Sequence, residues 1–143
     1  MLKSSQTSRG EFERIYENFM DGMFAWEAKY FDRKIDNFHN DSEPGLDDEM
    51  REKLLSLFNK YVINEGINYD RVENLVCRTP SDYDRNGDDV EINHVNAEKI
   101  LVLISKRKGM KTNFRLTFIK KDDAFMLSRR DFKSSGRWCR THV

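Results

Sequence analysis

The chain is poor in the residues that staple, ligate or anchor a protein. Its 143 residues include two cysteines, Cys77 and Cys139. That is too few for a disulfide framework, so they read as reduced, packed thiols of a cytoplasmic chain. The three histidines, His39, His94 and His142, build no metal-ligand spacing with Cys77 and Cys139. There is no Walker A loop, no dinucleotide glycine pattern and no nucleophile elbow. No cofactor and no metal are implied, and no catalytic set is visible. No apolar run reaches the ~18 residues of a membrane span, and the opening stretch MLKSSQTSRGEF has no apolar core of a secretory signal. The formal net charge is zero, so no global field draws the protein toward nucleic acid or a membrane surface.

Charge and aromatics are abundant. Charged residues make up 35% of the chain, against ~25% in an average domain. The ten phenylalanines argue against disorder. One domain over 1–143 fits this length, with a core that needs no staple. Zero net charge hides an asymmetry: residues 1–100 hold 13 Lys and Arg against 22 Asp and Glu, and residues 101–143 hold 12 against 3. The acids cluster at Asp47, Asp48 and Glu49, and again at Asp82, Asp84, Asp88 and Asp89. Acidic clusters steer a protein toward a basic partner. The basic part is explained by cross-strand ion pairs.

The apolar period changes along the chain. Phe12, Ile15, Tyr16, Phe19, Met20, Met23 and Phe24, continued by Tyr30 and Phe31, mark a helix over 9–32. Ser8 and Glu11 suit a capping box at its start. Residues 39–45, with Pro44-Gly45, read as a linker. A second helix follows, with Asp47, Asp48 and Glu49 at its positive end. Met50, Leu54, Leu57, Phe58, Tyr61 and Val62 form its stripe, and Gly66 is its stop. Beyond it, Leu75-Val76-Cys77 reads as a short strand, and 81–89 as a loop turning at Asn86-Gly87. Strands follow at 90–95, 100–104, 114–119 and 125–128, turning at Lys108-Gly109-Met110 and at Lys121-Asp122-Asp123. Arg137-Trp138-Cys139 is a last extended piece after Ser134-Ser135-Gly136. Helices (about 8–64) followed by an antiparallel meander (about 69–140) indicate an α+β fold.

Two features invite a chemical reading. The pattern Asp82-x-Asp84-x-Asn86-Gly87-Asp88 matches the opening of a calcium loop, but position twelve is Asn93 and strands flank it, so an acidic turn accounts for it better. His94 alternates with inward positions on a strand, where a carboxylate partner would make it an acid–base group.

The order of elements and the last third, Ile100–Ser105, a basic turn, Phe114–Lys120, Asp122-Asp123, Phe125–Arg130 and Gly136-Arg137-Trp138, resemble the nuclear transport factor 2-like (cystatin-like) fold. That resemblance implies a long N-terminal helix packed in a strongly curved antiparallel sheet. Within that superfamily the chain is most similar to immunity proteins of bacterial polymorphic toxin systems. The likeness implies a non-enzymatic cytoplasmic binder that occludes the active site of one cognate toxin, and sheets of this fold often pair as homodimers. If the toxin is a nuclease, its groove is basic, and Asp47, Asp48, Glu49, Asp82, Asp84, Asp88 and Asp89 are the candidate contacts. The competing expectation is a ligand-binding protein or acid–base enzyme that uses the cone interior, with His94 in it. A nucleic-acid binder built on the basic C-terminal part ranks behind both.

Overall fold

The computed structural model describes the backbone of residues 2–39 and 44–143 and the side chains of residues 10–36 and 44–143. Helices α1 (Leu2–His39), α2 (Leu46–Tyr61) and α3 (Asp70–Asn74) come first. Strands β1 (Asp89–Asn96), β2 (Lys99–Ser105), β3 (Asn113–Lys121), β4 (Ala124–Ser134) and β5 (Arg137–Thr141) follow. They form one five-stranded antiparallel meander in the order β1-β2-β3-β4-β5. Helices packed against such a sheet are the α+β arrangement that the periodicity indicates.

Helix α1 is longer than the stripe suggests at both ends. It begins at Leu2, so Ser8 lies within it and does not start it. The Ser8 side chain and linker residues 40–43 lie outside the described residues. The buried line of α1 runs Phe12, Tyr16, Phe19, Met20, Met23, Trp26, Glu27, Tyr30, the spacing of one helical face. Phe24, expected on that line, is 41% exposed. A step of four from Met20 carries it past the edge of the stripe, and Trp26 and Glu27 take the inward positions. Helix α2 lies against α1, where Trp26 Nε1 donates to Met50 O at 3.1 Å. Gly22 permits the approach: a Cβ there would stand 2.6 Å from a Leu57 methyl.

The sheet buries alternate residues against α1. Ile100, Val102, Ile104, Leu116, Phe118, Phe125 and Leu127 point inward. Phe12 meets Phe118 and Phe125 edge-on at 5.1 and 5.5 Å between ring centroids. Leu101, Leu103, Arg115, Thr117 and Ile119 fall at the intervening positions and are half-buried. The β3–β4 hairpin turns on Asp122 and Asp123, both at positive φ, and the β4–β5 hairpin on Ser135 and Gly136, likewise. These are the left-handed pairs that two-residue hairpins favour.

Two local expectations are corrected. Leu75-Val76-Cys77 is not a strand: α3 occupies Asp70–Asn74, and Leu75 follows it in the left-handed region. Arg71, Val72 and Leu75 are all buried, and only a helical turn points those three inward together. Gly66 does not cap α2, which ends at Tyr61, with Val62 extended and bridged in parallel to Leu127.

Candidate functional site

Aromatic side chains fill the space between α1 and the sheet. Phe12, Phe19, Met20, Met23 and Phe118 are fully buried there, and the rings of Phe12, Tyr16, Phe19 and Phe118 meet one another. His94, the candidate acid–base group, is exposed on β1 and lies edge-on to Phe12 at 6.2 Å. It is exposed to solvent and not enclosed, which departs from the expectation that placed it inside the cone.

The buried polar chemistry lies instead where α1, α3, the 76–83 loop, β4 and the C-terminal residues meet. Glu27 is fully buried and accepts four hydrogen bonds. Ser81 Oγ donates at 2.7 Å and the Asp82 amide at 3.0 Å, with Arg71 Nη1 at 3.2 Å and the Arg78 amide at 3.1 Å. Arg71, equally buried, also donates to Val143 O and Val76 O and places Nη2 3.0 Å from Asp82 Oδ2. Arg78 Nε and Arg130 Nη2 each lie 3.5 Å from that same oxygen. The guanidinium of Arg130 is sandwiched by the rings of Tyr83 and Phe114, 5.1 and 4.2 Å from their centroids.

The local field follows from this crowding of cations. Burial pushes the Asp82 carboxyl up, and Arg130, Arg71 and Arg78 outweigh burial and hold it below its ordinary value. Burial, with the positive charge of Arg71, Arg130 and Arg78, pushes His142 down to about 4. Burial likewise pushes the Cys77 thiol up to about 11, away from a reactive thiolate.

The seven candidate acids separate when placed in three dimensions. Asp47 and Asp48 are exposed in the first turn of α2, and Asp48 faces Arg51 at 3.7 Å. Glu49 accepts from Tyr30 and Arg33, which hold its carboxyl low. Asp82 is buried under three guanidinium groups. Asp84 caps its own turn by accepting from the Gly87 amide at 2.9 Å. Asp88 is paired with Lys106 at 2.6 Å, with both side chains nearly inaccessible. Asp89 is exposed and bonded to Arg107. In the calcium-like pattern Asp82 and Asp88 are thus engaged by cations and Asp84 by a turn amide. Among the described residues no group of three or more acids, histidines or cysteines converges to hold a metal.

Sequence reading missed Glu27, Arg71 and Arg130. Glu27 carried a signal, because it falls on the inward line of α1 between Met23 and Tyr30, where a charge needs a buried partner. Arg130 carried none: the register of β4 shifts opposite Thr117 and Phe118, and that bulge turns Arg130 inward where strict alternation would not.

The basic C-terminal part becomes a surface. Arg115 Nη2 and Arg129 Nε reach the fully buried Asp131 at 3.4 and 2.8 Å. Arg115 also stacks on Trp138 with its guanidinium carbon 4.6 Å from the ring centroid. Arg115 and Asp131 face each other across β3 and β4 and are a cross-strand pair of the kind the charge pattern predicts, whereas Arg129 and Asp131 are neighbours along β4 itself. Trp138 packs beneath Arg115. At the β2–β3 turn a cavity of about 340 Å³ opens between the 78–82 loop and the hairpin, with Arg78, Lys106, Lys108 and Met110 on its walls.

No helix of the structure is long and apolar enough to cross a membrane. Residues 11–142 match the family described as NTF2 fold immunity protein. No curated protein and no solved structure matches the chain.

Proposed function

Because the chain belongs to the NTF2 fold immunity protein family, we propose that it neutralises one cognate toxin of a bacterial polymorphic toxin system by seating on the toxin and covering its active site. The family match over 11–142 carries this reading. The aromatic packing between α1 and the sheet, with Phe12, Phe19 and Phe118 fully buried, favours it over a ligand-binding cone. The protein acts in the cytoplasm, as one domain over 1–143, as a binder with no catalytic step of its own.

Occlusion requires a rigid face and complementary charge. Asp47 and Asp48, exposed at the start of α2, with Glu49 beside them, are the acids free to approach a basic groove such as that of a nuclease. Asp84 and Asp89 border a second acidic area, and Asp82 and Asp88 serve it from below by holding its loop to Arg71, Arg130 and Lys106. The outer face of the sheet, with Leu101, Leu103, Thr117 and Ile119 half-buried, is the surface on which two copies would pair.

The test is a pull-down from the source bacterium with tagged protein at moderate salt. Recovery of the C-terminal domain of a large secreted or contact-dependent protein, and loss of that domain's toxicity on co-expression, is the expected result. A folded protein that retains no stoichiometric partner contradicts it.

A further inference from the structure

The cavity at the β2–β3 turn is lined by Arg78, Pro80, Asp82, Lys106, Lys108 and Met110. Its floor is Asp82, on whose Oδ2 the side chains of Arg71, Arg78 and Arg130 converge within 3.0–3.5 Å. Lys106, in its wall, donates to Ser81 O at 2.5 Å and to Asp88 at 2.6 Å. The charged side chains around it are thus Arg71, Arg78, Arg130, Lys106 and Lys108 on one side, and Glu27, Asp82 and Asp88 on the other. Cations are in excess, and His142 senses the same imbalance through three arginines.

The excess is placed outward. The Arg78 side chain is 54% exposed, and Lys108 is exposed on the opposite wall. Between them the apolar Met110 is 87% exposed, the highest exposure of any large hydrophobic residue among the described side chains. The two walls touch. Gly109, at φ +68, lies so close to Pro80 that a Cβ there would stand 3.0 Å from the proline ring. A cationic rim with an apolar lip suits one carboxylate carried beside an apolar side chain. Two exposed cations, Arg78 and Lys108, make no track along a phosphate backbone, whose binding grows with the number of phosphates neutralised.

We propose that this pocket is a carboxylate receptor that takes one acidic side chain of the toxin, with Met110 packing beside it. The proposal rests on the immunity reading above. It makes the contact two-signed: acids of α2 meet a basic toxin surface, and Arg78 and Lys108 capture an acid on its rim.

The test uses the full chain and the double variant Arg78→Glu/Lys108→Glu, with Lys108→Gln as a milder variant if the double one loses its fold. Glutarate, titrated at constant ionic strength and followed by NMR, is expected to give saturable shifts at Arg78, Lys108 and Met110 that the folded variants lose. Against the toxin domain recovered by pull-down, the double variant is expected to bind about tenfold or more weakly, and Met110→Ala also weakens binding. Shifts that do not saturate, or that sodium chloride reproduces, overturn the receptor. Unchanged toxin affinity in a folded double variant overturns the docking role while leaving the immunity function standing. A wild-type protein that itself holds no toxin overturns docking and function together.

Discussion

Arg71 and Glu27, 44 residues apart in the chain, form a 3.2 Å ion pair in which neither side chain is exposed to solvent. The pair joins α1 to α3, and through Asp82 and the Ser81 hydroxyl it also fixes the 76–83 loop. Removing one partner of a buried pair strands a charge away from water. Arg71→Ala is expected to cost about 3–5 kcal/mol, measured by urea unfolding. Arg85→Ala, which breaks the solvent-facing pair with Asp21, is expected to cost about 0–1 kcal/mol. Equal losses in the two variants would contradict the role given to the buried pair.

Stability is expected to fall with acid in two steps. His142 has its pKa pushed down from 6.5 to about 4 in the folded protein. Between those values the unfolded chain takes up a proton that the folded chain refuses, so stability declines as the pH drops through that window. Asp82 is held below its ordinary 3.8. Its contribution is present above that value and is lost as the pH falls through the lower, folded value. Unfolding free energies measured from pH 7 to pH 3 should show both declines, and His142→Gln should flatten the first. A wild type and variant with the same pH profile would refute the assignment to His142.

The Tyr16 hydroxyl is buried and has no hydrogen-bond partner among the described residues. Burial raises its pKa well above the ordinary value. Tyr16→Phe keeps the ring that packs on Phe12 and Phe118 and removes the stranded hydroxyl. It is expected to raise stability by about 1 kcal/mol. A clear loss of stability would mean that the hydroxyl is satisfied after all.

The candidate acids are expected to divide into two classes. Asp47→Lys/Asp48→Lys should cost only about 1–2 kcal/mol in unfolding, from two cations at the positive end of α2, while it slows association with the toxin and weakens its dependence on salt. Asp82→Ala should instead destabilise the fold, because it leaves Arg71 and Arg130 short of a counter-charge. Stopped-flow association and urea unfolding of the same variants separate the two. An Asp82→Ala protein as stable as wild type would overturn the division.

Most of the architecture was legible because it rests on local rules. The 3.6-residue stripe from Phe12 to Tyr30, the alternation through Ile100–Ile104 and Phe114–Ile119, and the turn at Asp122-Asp123 each write their element into neighbouring residues. Helix α3 was not legible, since Arg71, Val72 and Leu75 become a coherent inward face only once Glu27 and Asp82 stand ready to receive Arg71. The acidic loop misled for a related reason. Sequence counts charges along the chain, but the partners of Asp82 and Asp88 lie on β4 and just beyond β2, at Arg130 and Lys106. The pocket was illegible because its walls, Arg78 and Lys108, are brought together by contacts distant in sequence, Gly109 with Pro80 and Lys106 with Ser81.

The most direct test of the immunity function is a titration of the recovered toxin domain's activity with this protein. Activity is predicted to fall linearly to zero at one molecule per toxin, with no change in the protein itself. Undiminished toxin activity at a large molar excess of folded protein would contradict the account.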